Sequence, residues 1–397
     1  MSTPLEINTI NLSNIDDFFT IPSLDNSINI VKATVAHYDD NMGNNLTKIH
    51  HYNNVYILQY SDQYYHSTDL QTFTRIESLS ELYYSGNFIY HNNLWMFYSS
   101  DDEYCAYSTD GLNWTQTCLD GNFSYITYGN NLWVSVGYNN TYYSSDGMNW
   151  VQGTINRCQD DIVNGEWYPY GVIYHNGAFY TSSYYGVYKS TDGITWNCTY
   201  ESYLSFNRIQ SVGNYLYLYE DNNGNMLYSS DGENWNIIIL FEDMWNNITF
   251  IYRNGIYYGQ QDNCYSLDGI TWNYLNIDTS FQDIIYLNNI YYGLGYNGLY
   301  QSQDGINFSL LLDTRCSCNN LQYINNQYYL NASGAHSENS NYENYFWIST
   351  NGLTWSSMTV DNYNENGTYD TIIYNNNLYV AGYSSLYQCF NISDYIN

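Results

Sequence analysis

The side chains whose types and spacing could do chemistry in this sequence are acidic and aromatic. They gather in four short stretches: Asp101-Asp102-Glu103; Asp160-Asp161 followed by Glu166, Trp167 and Tyr168; Glu220-Asp221; and His336 with Glu338. Carboxylates beside indole and phenol rings suit two kinds of recognition. One is capture of the cationic groups of a protein partner. The other is sugar binding, with Trp167 and Tyr168 stacking on the ring and Asp and Asn accepting its hydroxyls. A metal site is not expected. Glu220-Asp221-Asn-Asn-Gly-Asn lacks the bidentate Glu that a calcium loop needs at its twelfth position. Cys316 and Cys318 sit two apart with no CxxC spacing or His partner to make a zinc or redox pair. No HExxH, GxSxG, phosphate loop or Ser-His-Asp pattern appears, so neither a cofactor nor a catalytic set is expected.

The charge balance narrows the partners. Eight Lys and Arg stand against 39 Asp and Glu in 397 residues, a formal net charge of −31. So few cations cannot replace the counterions of a nucleic-acid backbone, and the same sign repels anionic membranes. With 19% aromatic and 44% hydrophobic residues the chain has ample core material and is not a disordered acidic segment. No apolar window is long enough for a membrane helix, and residues 1–17 lack the basic and apolar regions of a secretory signal. A cytoplasmic or virion-associated protein is therefore expected. The eight cysteines fall at scattered positions, which suits reduced buried thiols better than a disulfide framework. Asn, Tyr and Ile are abundant, as AT-rich genomes encourage, yet Lys numbers only three. Lysine scarcity thus reads as selected, and a large DNA virus or a bacterium fits as source.

What must position these residues is a repeat. Ser, any residue, Asp, Gly, two residues and Trp recur in five clean copies. The first is Ser108, Asp110, Gly111 and Trp114, and the second is Ser144, Asp146, Gly147 and Trp150. The third is Ser190, Asp192, Gly193 and Trp196, and the fourth is Ser229, Asp231, Gly232 and Trp235. The fifth is Ser266, Asp268, Gly269 and Trp272. Near copies lie at Ser302–Phe308 and Ser349–Trp355, with worn copies at Ser67–Phe73 and Cys389–Asn391. Ser and Asp can bond to the backbone inside a tight turn, and Gly supplies the positive φ such turns require. The Trp is expected to begin the next strand and to offer an apolar plate for the gap between adjacent blades.

Successive copies are about 40 residues apart, the period of a four-stranded propeller blade. Upstream of each copy are two runs of β-branched and aromatic residues split by an Asn-rich turn, as in Ile126-Thr-Tyr-Gly-Asn-Asn-Leu-Trp-Val. Such runs suit a pleated sheet, and Asn tolerates the positive φ that short hairpins need. The expected fold is all-β: a single closed β-propeller of four-stranded antiparallel blades over residues 46–397. Nine units predict nine blades, with eight or ten left open. Residues 1–45 hold an alternating run, Ile28 to His37, that would add a strand to the last unit and close the ring.

The repeat resembles the Asp-box, or BNR, repeat of sialidases and of many non-enzymatic propellers, in a form one residue shorter. The resemblance covers about residues 46–397. It implies that the Ser, Asp, Gly and Trp positions are structural, forming a turn between the third and fourth strands, remote from any active site. It does not extend to activity. Sialidases share an arginine triad with an Arg-Ile-Pro motif, and here the arginines are only Arg75, Arg157, Arg208, Arg253 and Arg315, none in that motif.

Blade topology then assigns faces. Turns between strands one and two and between strands three and four lie on one face, with the repeat motif. Connections between strands two and three, and from blade to blade, lie on the other. The two longest intervals place their extra residues on that other face, at Arg157–Tyr168 and at Asn331–Glu343. The acidic and aromatic stretches fall there too, and loops on a rigid scaffold are where function concentrates. The expected function is a non-catalytic acidic scaffold that binds a basic protein through this face, the alternative being a lectin-like propeller.

Overall fold

The computed structural model describes residues 7–11, 29–33, 46–60, 63–70, 72–80, 86–99, 104–117, 123–159, 161, 165, 167–202, 206, 209–220, 225–238, 249–260, 263–324, 326–335, 342–360, 368–374, 377–382 and 386–391. The chain is all-β and built from β-propeller blades. Eight sheets each contain a four-stranded antiparallel meander drawn from one continuous stretch, within 46–75, 87–116, 125–152, 173–201, 210–238, 250–274, 281–313 and 317–360. They are called here the first to the eighth blade. A ninth sheet is composite: strands Thr368–Tyr374, Asn377–Gly382 and Leu386–Asn391 are joined by Asn29–Ala33 and Ile7–Asn11. There are therefore eight contiguous blades where nine repeat units were expected. Among the described residues the ninth unit supplies three strands of its own, and an N-terminal strand pairs with Leu386–Asn391 in the fourth place. Among the described residues no ladder joins one sheet to the next, so no closed sheet ring forms. The chain divides into two compact units, one of residues 1–81 with 276–397 and one of residues 82–275.

The local rules behind a blade are visible in the backbone. The Asn-Asn turns hold paired positive φ values, 50° and 59° at Asn92 and Asn93, and 49° and 58° at Asn130 and Asn131. That conformation matches the right-handed twist of the flanking strands. Second strands run deep in their blades, with every residue of Ala178–Ser182 and of Ile256–Gly259 buried. Fourth strands such as Thr115–Gln116 and Asn273–Tyr274 are short and exposed.

The repeat motifs from Ser67 to Ser349 fold as self-contained turns, while the worn copy Cys389–Asn391 lies within strand Leu386–Asn391. Ser229 Oγ donates to Asp231 Oδ1 at 3.0 Å and accepts the Gly232 amide at 2.8 Å. Asp231 Oδ1 also accepts the Glu233 and Asn234 amides, and Oδ2 accepts the Asn234 side chain, each at 2.8 Å. Bonds from the Asn234 amide, the Asn234 side chain and the Glu233 amide hold this carboxyl well below its ordinary range. The same pattern recurs at Asp110, Asp146 and Asp304, and the Asn351 Oδ1 reproduces most of it. Asp192 and Asp268 likewise accept two amides each and a hydroxyl from Ser190 and Ser266. Each of these carboxylates is thus engaged in holding its own turn.

The motif glycines share one left-handed conformation, with φ of 74° at Gly111, 75° at Gly147, 73° at Gly193 and Gly232, and 79° at Gly269. They also mark close approaches. A Cβ at Gly147 would meet Leu94 Cδ2 of the second blade at 2.5 Å, and one at Gly193 would meet Leu132 Cδ2 of the third at 2.6 Å. Hydroxyls fasten the same turns to the blade before them. Tyr180 of the fourth blade donates to the Asp231 carbonyl at 3.1 Å, and Tyr217 of the fifth donates to the Gly269 carbonyl at 2.8 Å.

The tryptophans do not all do what the repeat led one to expect. Trp196 lies inside strand Thr195–Glu201 and is fully buried, and Trp150 and Trp272 are buried too. Trp114 and Trp235 are only half-buried, and each precedes its short fourth strand without belonging to it. Trp114 caps its own blade. Its Nε1 donates to the Gly111 carbonyl at 3.0 Å, and its ring meets Phe88 and Phe97 of the same blade edge-on. Trp150 makes the equivalent bond to the Gly147 carbonyl at 3.1 Å but is covered by further neighbours of the second and third blades. Trp235 does reach across, onto Tyr200 of the fourth blade with ring centroids 6.2 Å apart, yet it leaves part of the indole uncovered. The reason for the spread is the shortness of these fourth strands. Two or three residues cannot cover a ring as wide as indole, so its burial depends on what the neighbouring blade supplies.

Candidate functional site

The face opposite the repeat turns is best defined between the third and fourth blades. The long interval between them does not form a simple loop. Strand Val151–Gln152 ends the third blade, and after Gly153 the chain continues as Thr154–Asn156, which pairs in parallel with Thr195–Asn197 of the fourth blade. Gly153 is required here because a Cβ would lie 2.6 Å from the Ile194 carbonyl oxygen. Cys158 then bonds to Cys198 in a disulfide, with Cα atoms 5.3 Å apart and a sequence separation of 40. Cys105 is disulfide-bonded as well. The expectation of reduced thiols is thereby corrected for these, while Cys264, Cys316 and Cys318 are buried and outside any disulfide.

Behind the disulfide lies a buried polar cluster. Asp161 is fully buried; its Oδ2 accepts the Ser183 hydroxyl at 2.9 Å and the Tyr188 hydroxyl. Tyr188 in turn accepts the Cys158 amide at 3.1 Å. Asp161 Oδ1 has no partner among the described residues. Burial raises the Asp161 pKa against the opposing pull of the Tyr188 and Ser183 hydroxyls and the charge of Arg157, and the Glu201 charge adds to the rise. Trp167 is also fully buried, packed among Val134, Val136, Phe179, Tyr188 and Trp196. Its amide donates to Asn139 Oδ1 at 2.9 Å and its carbonyl accepts the Asn139 amide at 3.0 Å. Arg157 reaches the Asn139 carbonyl at 3.3 Å.

This arrangement redistributes the residues expected to bind. Trp167 and Asp161 are corrected from surface contacts to core, because an indole and a carboxyl that close the seam between two blades have no face left for a ligand. Tyr168, next in sequence, points outward at 46% exposure and packs on Tyr138 with ring centroids 4.7 Å apart. Tyr184, 44% exposed and stacked edge-on with Tyr185, occupies the turn that carries Ser183. Sequence reasoning missed Tyr138 and Tyr184. Their signal was position, since both sit in connections between second and third strands.

Asp101, Asp102, Glu103, Asp160, Glu166, Asp221, His336 and Glu338 lie outside the described residues. Glu220 ends strand Tyr215–Glu220, its backbone paired with Asn225. In the eighth blade the extra residues lengthen two strands, Gln327–Ala335 and Tyr342–Ser349, so much of 331–343 is ladder and not loop.

Among the described residues, no group of three or more His, Cys, Asp or Glu could hold a metal ion. His175 and Ser211 are 2.7 Å apart, and Asn176 Nδ2 lies 2.9 Å from His175 Nε2. Burial lowers the His175 pKa against an opposing hydrogen bond to the Asn214 backbone. A depression of about 290 Å³ at Gln301, Ser302, Gln303, Asp304, Asn307 and Ser309 is lined by a turn whose carboxylate is already engaged. No helix among the described residues is long and apolar enough to cross a membrane.

The buried carboxyl makes a test of pH dependence. A raised folded-state pKa contributes stability that is complete below the unfolded value and lost as pH rises through the folded one. The turn carboxylates have the opposite sign: their contribution is present above the ordinary value and lost as pH falls through the depressed one. Asp161→Asn keeps an acceptor for Tyr188 and cannot ionise. Its stability relative to the unsubstituted chain should improve from pH 4 to pH 7, read as the difference in Tm. A difference that stays constant over that range would show that Asp161 does not titrate with folding.

No protein-family model and no curated protein sequence matches the chain. Among solved structures it is similar to dihydro-heme d1 dehydrogenase NirN in complex with DHE, at 8% identity and a TM-score of 0.51, over 87% of this chain and 78% of that one. It is also similar to YCF48 bound to D1 peptide, at 14% identity and a TM-score of 0.39, over 86% and 98% of the two chains. BamB from Moraxella catarrhalis is similar at 9% identity and a TM-score of 0.37, over 92% and 100%. At 8% identity the first likeness shows the β-propeller fold and nothing of activity.

Proposed function

We propose that the chain is a non-catalytic scaffold that binds a basic protein segment through the face opposite the repeat turns. The observation that carries the reading is the Tyr138–Tyr168 pair, presented on two connections that are tied to each other and to the core. Rigid, half-exposed tyrosines offer large contact area at low cost in side-chain entropy, which is why they recur as anchors of protein interfaces. The charge of −31 selects the sign of the partner and steers its approach. Burial of Trp167 removes the broader of the two rings on which a sugar would stack, so the protein reading is favoured over the lectin one.

The test is titration of the purified chain with a panel of Lys- and Arg-rich peptides at low and high salt. Binding should weaken with salt, and Tyr168→Ala should reduce the affinity of the best peptide about tenfold, in the range of an interface hot spot, with Tm unchanged. A peptide panel that never binds, beside a defined and salt-resistant hit on a glycan array, would overturn the proposal in favour of sugar binding.

A further inference from the structure

We propose that the Cys158–Cys198 disulfide is a reducible latch on the Tyr138–Tyr168 platform, and that its reduction by a dithiol frees Cys158, Asp161 and Trp167 from the fourth blade and dismantles the platform. This rests on the reading of the platform as the binding face, and it adds the regulation of that face.

The placement of the bridge supports a latch more than a simple brace. It joins the chain leaving the third blade to strand Thr195–Glu201 of the fourth, just past Asn197, where the parallel ladder with Thr154–Asn156 ends. Cys158 is buried, while Cys198 is only partly so, which makes the Cys198 sulfur the one open to an incoming thiolate. Thr199 beside it is an unpaired extra residue, a bulge between the Val187–Tyr200 and Tyr188–Cys198 pairs. Bulges interrupt pairing and re-aim side chains at working sites. The bridge seats against Gly186, where a Cβ would meet Cys158 Sγ at 2.2 Å, so the fourth blade is shaped to receive it.

What the bridge holds down is a balanced element. Burial of Trp167 and the Asn139 bonds favour the docked segment. Against them stands a fully buried carboxyl with one oxygen unpaired among the described residues, a group that water would solvate at once if the segment lifted. The covalent tie adds to the docked side of this balance, and its reduction takes that contribution away. Tyr168 follows Trp167 directly, so release of the indole carries the tyrosine away from Tyr138.

The chemistry is a thiol–disulfide exchange. The thiolate of a dithiol attacks Cys198 Sγ, the Cys158–Cys198 bond breaks, and Cys158 leaves as a thiolate that takes up a proton. The second thiol of the reductant then attacks the mixed disulfide, releases Cys198 as a thiol and closes the reductant's own disulfide. Two electrons pass from dithiol to protein.

The experiment uses the full chain, oxidised or treated with dithiothreitol under native conditions, then alkylated and mapped by mass spectrometry. Hydrogen exchange is followed at the Trp167 and Asn139 amides, and binding is followed with the best Lys-rich peptide. Cys158 and Cys198 should both become alkylated while strand Tyr215–Glu220 stays protected. Exchange at the two amides should rise about tenfold or more, and peptide affinity should fall to that of Tyr168→Ala. A Cys158→Ala/Cys198→Ala variant should show the same open state without reductant and ignore dithiothreitol, which separates this bridge from that of Cys105. If that variant does not fold, native reduction of the unsubstituted chain still decides the matter. Cysteines that react only on global unfolding, or alkylation with exchange unchanged at Trp167, would overturn the latch. An oxidised chain that binds no peptide but still shows the rise in exchange would sink the binding reading and leave the latch standing.

Discussion

Replacing Gly232 with valine is expected to cost about 2–5 kcal/mol of stability, more than a glycine-to-alanine change in an ordinary exposed turn. Two terms add. At φ +73° any side chain is strained, by roughly 1–2 kcal/mol. A Cβ would also stand 2.1 Å from Tyr180 Cε1, and Tyr180 is buried and holds the Asp231 carbonyl through its hydroxyl. Forcing that ring aside brings an overpacking cost of about 1–3 kcal/mol and loss of the bond between blades. Leu70 shows that the angle alone does not forbid a side chain, for it holds φ 54° at the equivalent place in the first blade. The comparison is Gly177→Ala, at φ +88° with nothing near the added carbon, where only the strain term of about 1 kcal/mol should remain. Urea denaturation of both variants checks it. Equal losses would mean that the seam relaxes around position 232 and that these turns do not clamp the blades.

The second large effect separates two adjacent residues. Trp167→Ala should lower stability by about 3–5 kcal/mol, the usual cost of emptying a buried indole site. Tyr168→Ala should stay within about 0.5 kcal/mol of the parent, as exposed positions do, while losing peptide affinity. Thermal melts and titrations of the two variants together are decisive. If Trp167→Ala melted like the parent and lost only binding, the indole would be a contact and the seam would not depend on it.

Much of the fold was legible because it is written nine times. The spacing of Ser, Asp and Gly fixes the turn, and Asn-Asn pairs fix the hairpins, since each satisfies a local backbone demand that no distant residue can alter. The role of the tryptophan was less legible. Trp114 and Trp196 hold the same place in the repeat, but one is half-buried over Phe88 of its own blade and the other is fully buried among residues of the third and fourth blades. The count of blades also escaped, because a unit's completeness depends on which strand arrives to pair with Leu386–Asn391. That is a long-range event between opposite ends of the sequence. The candidate site was legible only to the level of a face. Asp160-Asp161 and Trp167-Tyr168 look alike as neighbours in a polar stretch, and nothing local says that Asp161 and Trp167 turn inward while Tyr168 turns outward. Their fate is set by Ser183, Tyr188 and Asn139, all remote in sequence. The disulfide escaped for the same reason: Cys158 and Cys198 become partners only once Thr154–Asn156 crosses to the fourth blade.

That crossing has a consequence for how such a chain can grow or shrink. A propeller evolves by gaining or losing whole units, and a clean cut between two units leaves each with its own four strands. The extended stretch through Gly153 denies such a cut between the third and fourth blades, because its two halves belong to different sheets. A duplication with its breakpoint there would separate Thr154–Asn156 from the strand it pairs with and leave one cysteine of the bridge without its partner. The third and fourth blades are therefore tied as one double-length module, and a change in the number of units would keep the ladder and the bridge whole only with its breakpoint elsewhere.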